Sequence, residues 1–143
     1  MEFNGHLEIK STDLIIKERG LQDGGPVQKY IDNAVINEMK PYTPKISGIL
    51  ENAPTIGTVI GSGQIKQSTP YARYLYYGLL MVSSITGSAY ASKGEKKVLT
   101  DTPLQYSKAA NPLAGKLWFE RMKADKKEDI LKEAQKVADR GGK

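Results

Sequence analysis

The chain has 143 residues, 39% of them hydrophobic, and a formal charge of +5 from 21 basic and 16 acidic residues, which fits a single domain with one core. It has no cysteine and one histidine, His6, so disulfides, thiolate metal sites and a cysteine nucleophile are excluded, and a zinc ligand set cannot be assembled. No run reaches the roughly 20 apolar residues that span a bilayer. The opening MEFNGHLEIK lacks the basic-then-apolar order of a secretory signal. The expectation is a protein that stays in the compartment where it is made and has no membrane partner.

In chain order, Phe3, Leu7 and Ile9 suggest a short edge strand carrying His6, and Leu14–Ile16 form a second apolar patch. Gly24 and Gly25 break the chain, and Pro26 suits the first turn of a helix. Val27, Tyr30, Ile31, Ala34 and Val35 then recur at helical steps until Pro41, which predicts a helix over about 26–40. PYTPKISG (41–48) reads as a rigid loop. Ile56, Thr58 and Ile60 alternate before the GSG at 61–63, and Ile65 follows, so a β-hairpin is expected near 54–67.

TPYARYLYYG reopens helical spacing, with Thr69 as cap, Pro70 in the first turn, Tyr71, Tyr74 and Leu75 on one face, and Gly78 as the stop. Residues 79–112 are rich in Ser, Gly, Ala and Lys with weak periodicity. They are expected to hold a long loop at about 79–110, flexible or ordered by a partner, with KKVLT (96–100) as a strand within it. From about 114 to 138 the pattern is helical again: Leu117, Trp118 and Met122, then Ile130, Leu131, Ala134, Val137 and Ala138, with Asp125 placed to cap a second turn.

The order predicts an α+β fold in one domain over 1–143. A small antiparallel sheet would be covered by the helices near 26–40 and 114–138. The predicted core is Val27, Tyr30, Ile31, Ala34, Tyr71, Tyr74, Leu117, Trp118, Met122, Ile130 and Leu131. Trp118 and Phe119 read as core residues rather than as interface anchors.

Catalytic chemistry finds no support. GTVIGSG lacks the lysine and hydroxyl of a phosphate loop and sits in a hairpin pattern. Asp125, Glu128, Asp129 and Glu133 alternate with lysines, which is a solvated helix face. A serine triad could use only His6. The chain is therefore expected to have no catalytic, cofactor-binding or metal-binding residue, and not to be an enzyme. Basic residues cluster in KGEKK (93–97) and KLWFERMKADKK (116–127), with acids interrupting both. The tyrosine cluster of 68–78 is divided. Tyr71 and Tyr74 take the helix face, while Arg73, Tyr76 and Tyr77 lie off it, where tyrosine and arginine favour protein interfaces. The candidate partner or subunit contacts are Arg73, Tyr76, Tyr77, Lys93, Lys96, Lys97 and Arg121.

Several motifs in order carry a resemblance: GGPVQ (24–28), Y-x-P-x-x-x-G-x-L (42–50), TPYAR with YYG (69–78), and P-x-A-G-x-x-WFERMKA (112–124). Together they resemble the minor capsid proteins of long-tailed phages and prophages, akin to the neck and tail-completion group. The stretch 79–108 has no counterpart in the pattern, and KISG replaces the more usual residues before Gly48. The resemblance implies a structural virion protein, made in the bacterial host cytoplasm and placed at the head–tail neck. It would self-associate as a ring of six subunits between the connector or head-closure protein and the tail-terminator or tail-tube protein. Genomic DNA in the lumen would be contacted without sequence preference. Competing readings are a capsid decoration protein, present in many copies, and a nucleic-acid module using Arg73, the tyrosines and Lys93–Lys97, whose binding would weaken steeply with salt.

Overall fold

A computed structural model describes residues 2, 5, 8–45, 48–69 and 71–142. The helices are α1 (Thr12–Glu18), α2 (Pro26–Met39), α3 (Ile49–Gly57), α4 (Ala72–Tyr77) and α5 (Trp118–Asp139), with a short 3-10 turn at Lys40–Tyr42 after α2. β1 (Leu79–Ser83) and β2 (Lys97–Pro103) pair antiparallel as a two-stranded sheet, with Met81 opposite Leu99 and Ser83 opposite Lys97. The fold is α+β. No helix among the described residues is long and apolar enough to cross a membrane.

The body is the antiparallel pair α2 and α5. Val27 at the start of α2 packs with Ala134, Val137 and Ala138 near the end of α5. Met39 and Tyr42, at the other end of α2, pack with Trp118 and Met122 at the start of α5. Trp118 and Met122 are each only 1% exposed, and full burial of such side chains stabilises by about 1.5–3 kcal/mol apiece. α2 starts at Pro26 and its regular turns end at Met39, just before Pro41, as the proline rules require.

Several expectations are corrected. The hairpin near 54–67 is absent. Residues 49–57 are helical, because Leu50 and Ala53 reach the core at helical spacing, and 58–69 form a strap. Thr58 Oγ1 accepts the Lys66 amide at 3.0 Å across that strap without a strand ladder. The sheet lies instead within the stretch expected as a long loop, with β1 at its start and β2 overlapping the KKVLT segment. Leu14–Ile16 belong to α1, whereas the strand expected at Phe3–Ile9, with His6, falls mostly outside the described residues.

The last helix begins at Trp118 rather than 114. Leu117 is its N-cap in the left-handed region (φ 51°), and among the described residues it is the one non-glycine with positive φ. Its amide donates to the Tyr76 carbonyl at 2.8 Å, which fixes this strained elbow. Asp125 caps nothing, since α5 runs through it unbroken. Thr69 does not cap α4: Tyr71 is the N-cap and no side chain bonds there. Pro70 lies outside the described residues. Leu131 is 47% exposed, because Ile130, Ala134, Val137 and Ala138 take the buried side and Leu131 is one step around the helix from them.

Candidate functional site

Three connections converge on the N-terminal end of α5. They are the proline loop after α2, the α4 segment, and the turn at 111–117. Asn111 Nδ2 donates to the carbonyls of Lys40 (3.0 Å) and Thr43 (2.8 Å), so it closes over the end of α2. Arg121 clasps the same region. Its Nε donates to Lys116 O (2.8 Å), Nη1 to Leu113 O (2.7 Å) and Nη2 to Tyr42 O (3.3 Å), with the guanidinium carbon 5.6 Å from the Tyr42 ring centre. Such a fork of donors on carbonyls, stacked on an aromatic face, suits arginine and not lysine.

Tyr42 is buried, and its hydroxyl donates to Asp125 Oδ2 at 2.7 Å. That hydrogen bond, and then burial, push the Tyr42 phenol above its ordinary pKa. Tyr76 meets Trp118 edge to face at 4.8 Å and Tyr77 at 5.4 Å. Burial, with the nearby Glu120 charge, raises the Tyr76 pKa. The Tyr106 hydroxyl donates to the Leu75 carbonyl, and burial raises its pKa as well. Pro44, Leu50, Tyr71, Tyr74 and Tyr106 line an open cleft of about 370 Å³ beside this junction.

Gly78 ends α4 in the left-handed region (φ 77°), and a Cβ there would come within 2.9 Å of the Lys116 side chain. The chain therefore turns from α4 directly into β1. The hairpin that follows is thinly packed. Along β2 only Thr100 is half-buried, and its hydroxyl donates to the Leu80 carbonyl at 2.8 Å. Ser83 ties the hairpin end: its Oγ donates to Glu95 Oε2 (2.6 Å) and accepts the amides of Ile85 and Thr86 (both 3.2 Å). Ile85, Val98 and Leu99 are exposed, as is Tyr90 at 88%. A lone two-stranded hairpin is marginal in water, and β1 is the strand of this pair that packs on the body.

The candidate contacts do not form one site. Arg73 is exposed on α4, and Tyr77 is 55% exposed next to it. Tyr76 is half-buried against Trp118. Lys93, Lys96 and Lys97 are exposed on the hairpin. Lys97 Nζ donates to Ala89 O at 2.8 Å and lies 5.9 Å from the Tyr74 ring centre. Arg121 is half-buried and spends its donors inside the chain. Of the expected core, Val27, Trp118, Met122 and Ile130 are buried, and Tyr30, Ile31, Ala34, Tyr71, Tyr74 and Leu117 are half-buried.

Sequence reasoning missed Asp32. Only 2% exposed, its carboxylate accepts Gln28 Nε2 (2.7 Å), the Gly61 amide (2.7 Å) and the Gly63 amide (3.2 Å). The glycine loop thus binds a carboxylate of its own chain. Gly61 allows the approach at φ 99°, where a Cβ would press on Lys29 and Gly24. The legible signal was the Gln28–Asp32 pair at helical spacing, opposite a glycine loop without its lysine. Asn111 and Gln67 were also missed, since their partners, main-chain carbonyls and, for Gln67, the Trp118 indole, lie far along the chain.

Comparison with known proteins gives a match to the family described as "Minor capsid protein" over residues 6–141. Neither the curated proteins nor the solved structures gave a match to the chain.

Proposed function

Since the chain belongs to the minor capsid protein family over nearly its whole length, we propose that it works at the head–tail interface of a tailed phage, as a subunit of a ring that joins connector to tail. The family makes it a structural protein of the phage virion. The finer reading adds that it is not an enzyme and that it acts by self-association and docking. Its partners would be the connector or head-closure protein on one side and the tail-terminator or tail-tube protein on the other. Six copies would surround the passage for DNA.

One observation carries this reading: the hairpin after α4 exposes apolar and basic side chains, while several polar side chains of the body are engaged internally. Asp32, Asn111 and Arg121 all serve the fold. The hairpin offers Ile85, Tyr90, Val98 and Leu99 beside Lys93 and Lys96, a composition suited to protein docking. Deleting the gene from its phage tests the role. DNA-filled heads and separate tails are the expected products, restored to joined particles by the chain supplied in trans. Joined particles with weakened shells would instead place the protein on the capsid surface.

A further inference from the structure

The two edges of the hairpin differ. The Ser84 amide donates to the Lys96 carbonyl at 2.9 Å, and Val82 stands opposite Val98, so residues 96 and 98 turn their main-chain groups toward β1. Alternation then turns the amides and carbonyls of Lys97 and Leu99 away from β1. It turns Ser83 outward on β1 too, but there the edge is closed. The Ser83 amide donates to Ser88 O (2.7 Å), and its carbonyl accepts the Gly87 amide (3.0 Å). A bulge follows Leu99 on β2, where Thr100 gives its hydroxyl to the Leu80 carbonyl. The phase is the same beyond it: the Leu104 amide donates to Gly78 O at 2.8 Å, and Pro103, with no amide to offer, stands opposite Leu79. Among the described residues no main-chain bond reaches Lys97, Leu99 or Asp101 from outside the hairpin.

This open edge matches itself. Lys97, Leu99 and Asp101 are alternate residues of β2, and all three are exposed. A second, antiparallel copy centred on Leu99 sets leucine against leucine and each Lys97 against the partner's Asp101. Asp101 has no cation within ion-pair reach among the described residues, and Lys97 spends one of its donors on Ala89 O. Centring on Lys97 would face lysine with lysine, and centring on Asp101 would face aspartate with aspartate. Centring on Val98 or Thr100 would leave both charges without an opposite. Charge therefore selects a second copy as the occupant, and one register for it.

We propose that free copies pair through β2, edge to edge about a two-fold axis, in a four-stranded antiparallel sheet ordered β1–β2–β2–β1. In that register outward main-chain groups meet outward main-chain groups, so the ladder and the side-chain pairs agree. The pairing takes the hairpin past the two strands that are marginal in water. Pro103 ends the edge, so it takes one short strand. The contact is isologous, the same patch serving both copies. It does not rest on the neck reading, whose ring needs unlike patches elsewhere on the chain.

The chain has no cysteine, so Leu99→Cys places a single thiol at the centre of the pairing. Mild oxidation should convert this variant to a disulfide homodimer at concentrations where Lys93→Cys, exposed on the loop of the hairpin, stays monomeric. Lys97→Glu in the Leu99→Cys chain should abolish the homodimer, and Asp101→Lys added to it should restore it. Leu99→Pro removes an amide that the hairpin itself does not use. Sedimentation should find the parent chain as a concentration-dependent dimer and Leu99→Pro as a monomer with the same helical spectrum. A parent chain that is monomeric at every concentration, a Leu99→Cys chain cross-linked no better than Lys93→Cys, a charge swap without rescue, or a Leu99→Pro chain that dimerises like the parent would each overturn the proposal. Head–tail joining is scored separately in phage. A ring-forming parent whose Leu99→Cys variant gives no cross-link sinks the pairing alone, and a paired chain that phage do not need for joining sinks the neck role alone.

Discussion

Gln67 repairs the gap that Pro54 leaves in α3. Proline has no amide to give the carbonyl four residues back, and that carbonyl, on Leu50, instead accepts Gln67 Nε2 at 2.8 Å. The same amide group accepts Trp118 Nε1 on its Oε1 at 3.2 Å, so one side chain links α3 to the core end of α5. Gln67→Ala should cost about 1–3 kcal/mol, the penalty for leaving half-buried polar partners unmet. In a Pro54→Ala background an amide returns to Leu50, so the cost of Gln67→Ala should shrink. A double-mutant cycle by urea unfolding reads this coupling, and additive costs would contradict it.

Asp32 should behave as a structural anion. Asp32→Ala leaves the Gly61 and Gly63 amides without their acceptor and should lower stability by about 3 kcal/mol. Asp32→Asn keeps the shape but loses the charge and one acceptor oxygen, so it should fall between. Thermal unfolding of the two variants gives the order. If Asp32→Ala unfolds like the parent chain, the glycine loop is not held this way.

These side chains show where the sequence was legible. α2 was readable because Pro26 and Pro41 bracket one apolar stripe. The second half of α5 was readable because Ile130, Ala134, Val137 and Ala138 face the body at helical spacing. The sheet was not, because alternation marks a strand only where one face is buried, and β2 is exposed along nearly all its length. The run Ile56, Thr58, Ile60 imitated a strand, though Ile56 is 85% exposed and belongs to the end of α3. Arg121 was read as a contact residue because its carbonyl partners at Tyr42 and Leu113 come together only in the fold.

Arg121→Lys keeps the charge but cannot reproduce donors on Tyr42, Leu113 and Lys116 together. The variant should lose about 1.5–3 kcal/mol. Circular dichroism on heating would show it as a lower Tm with an unchanged helical spectrum at room temperature. An unchanged Tm, with assembly alone impaired, would return Arg121 to the subunit interface.

Alkaline pH should destabilise the chain. The phenols of Tyr42, Tyr74, Tyr76 and Tyr106 are all raised in the folded state, Tyr42 first by its bond to Asp125 and the others first by burial. A raised folded-state pKa contributes stability that is complete below the ordinary tyrosine value near ~10 and is lost as pH rises through the folded value. The Tm should therefore hold up to about pH 9 and fall above about 10. Tyr42→Phe should have a lower Tm at neutral pH and a shallower alkaline fall. A fall of parental steepness in that variant would remove Tyr42 from the account.

The position and copy number of the chain in intact particles test the central claim most directly. Electron-microscopic reconstruction of the phage should find a single ring of few copies where head meets tail. Copies spread over the capsid shell, or purified particles without the chain, would contradict it.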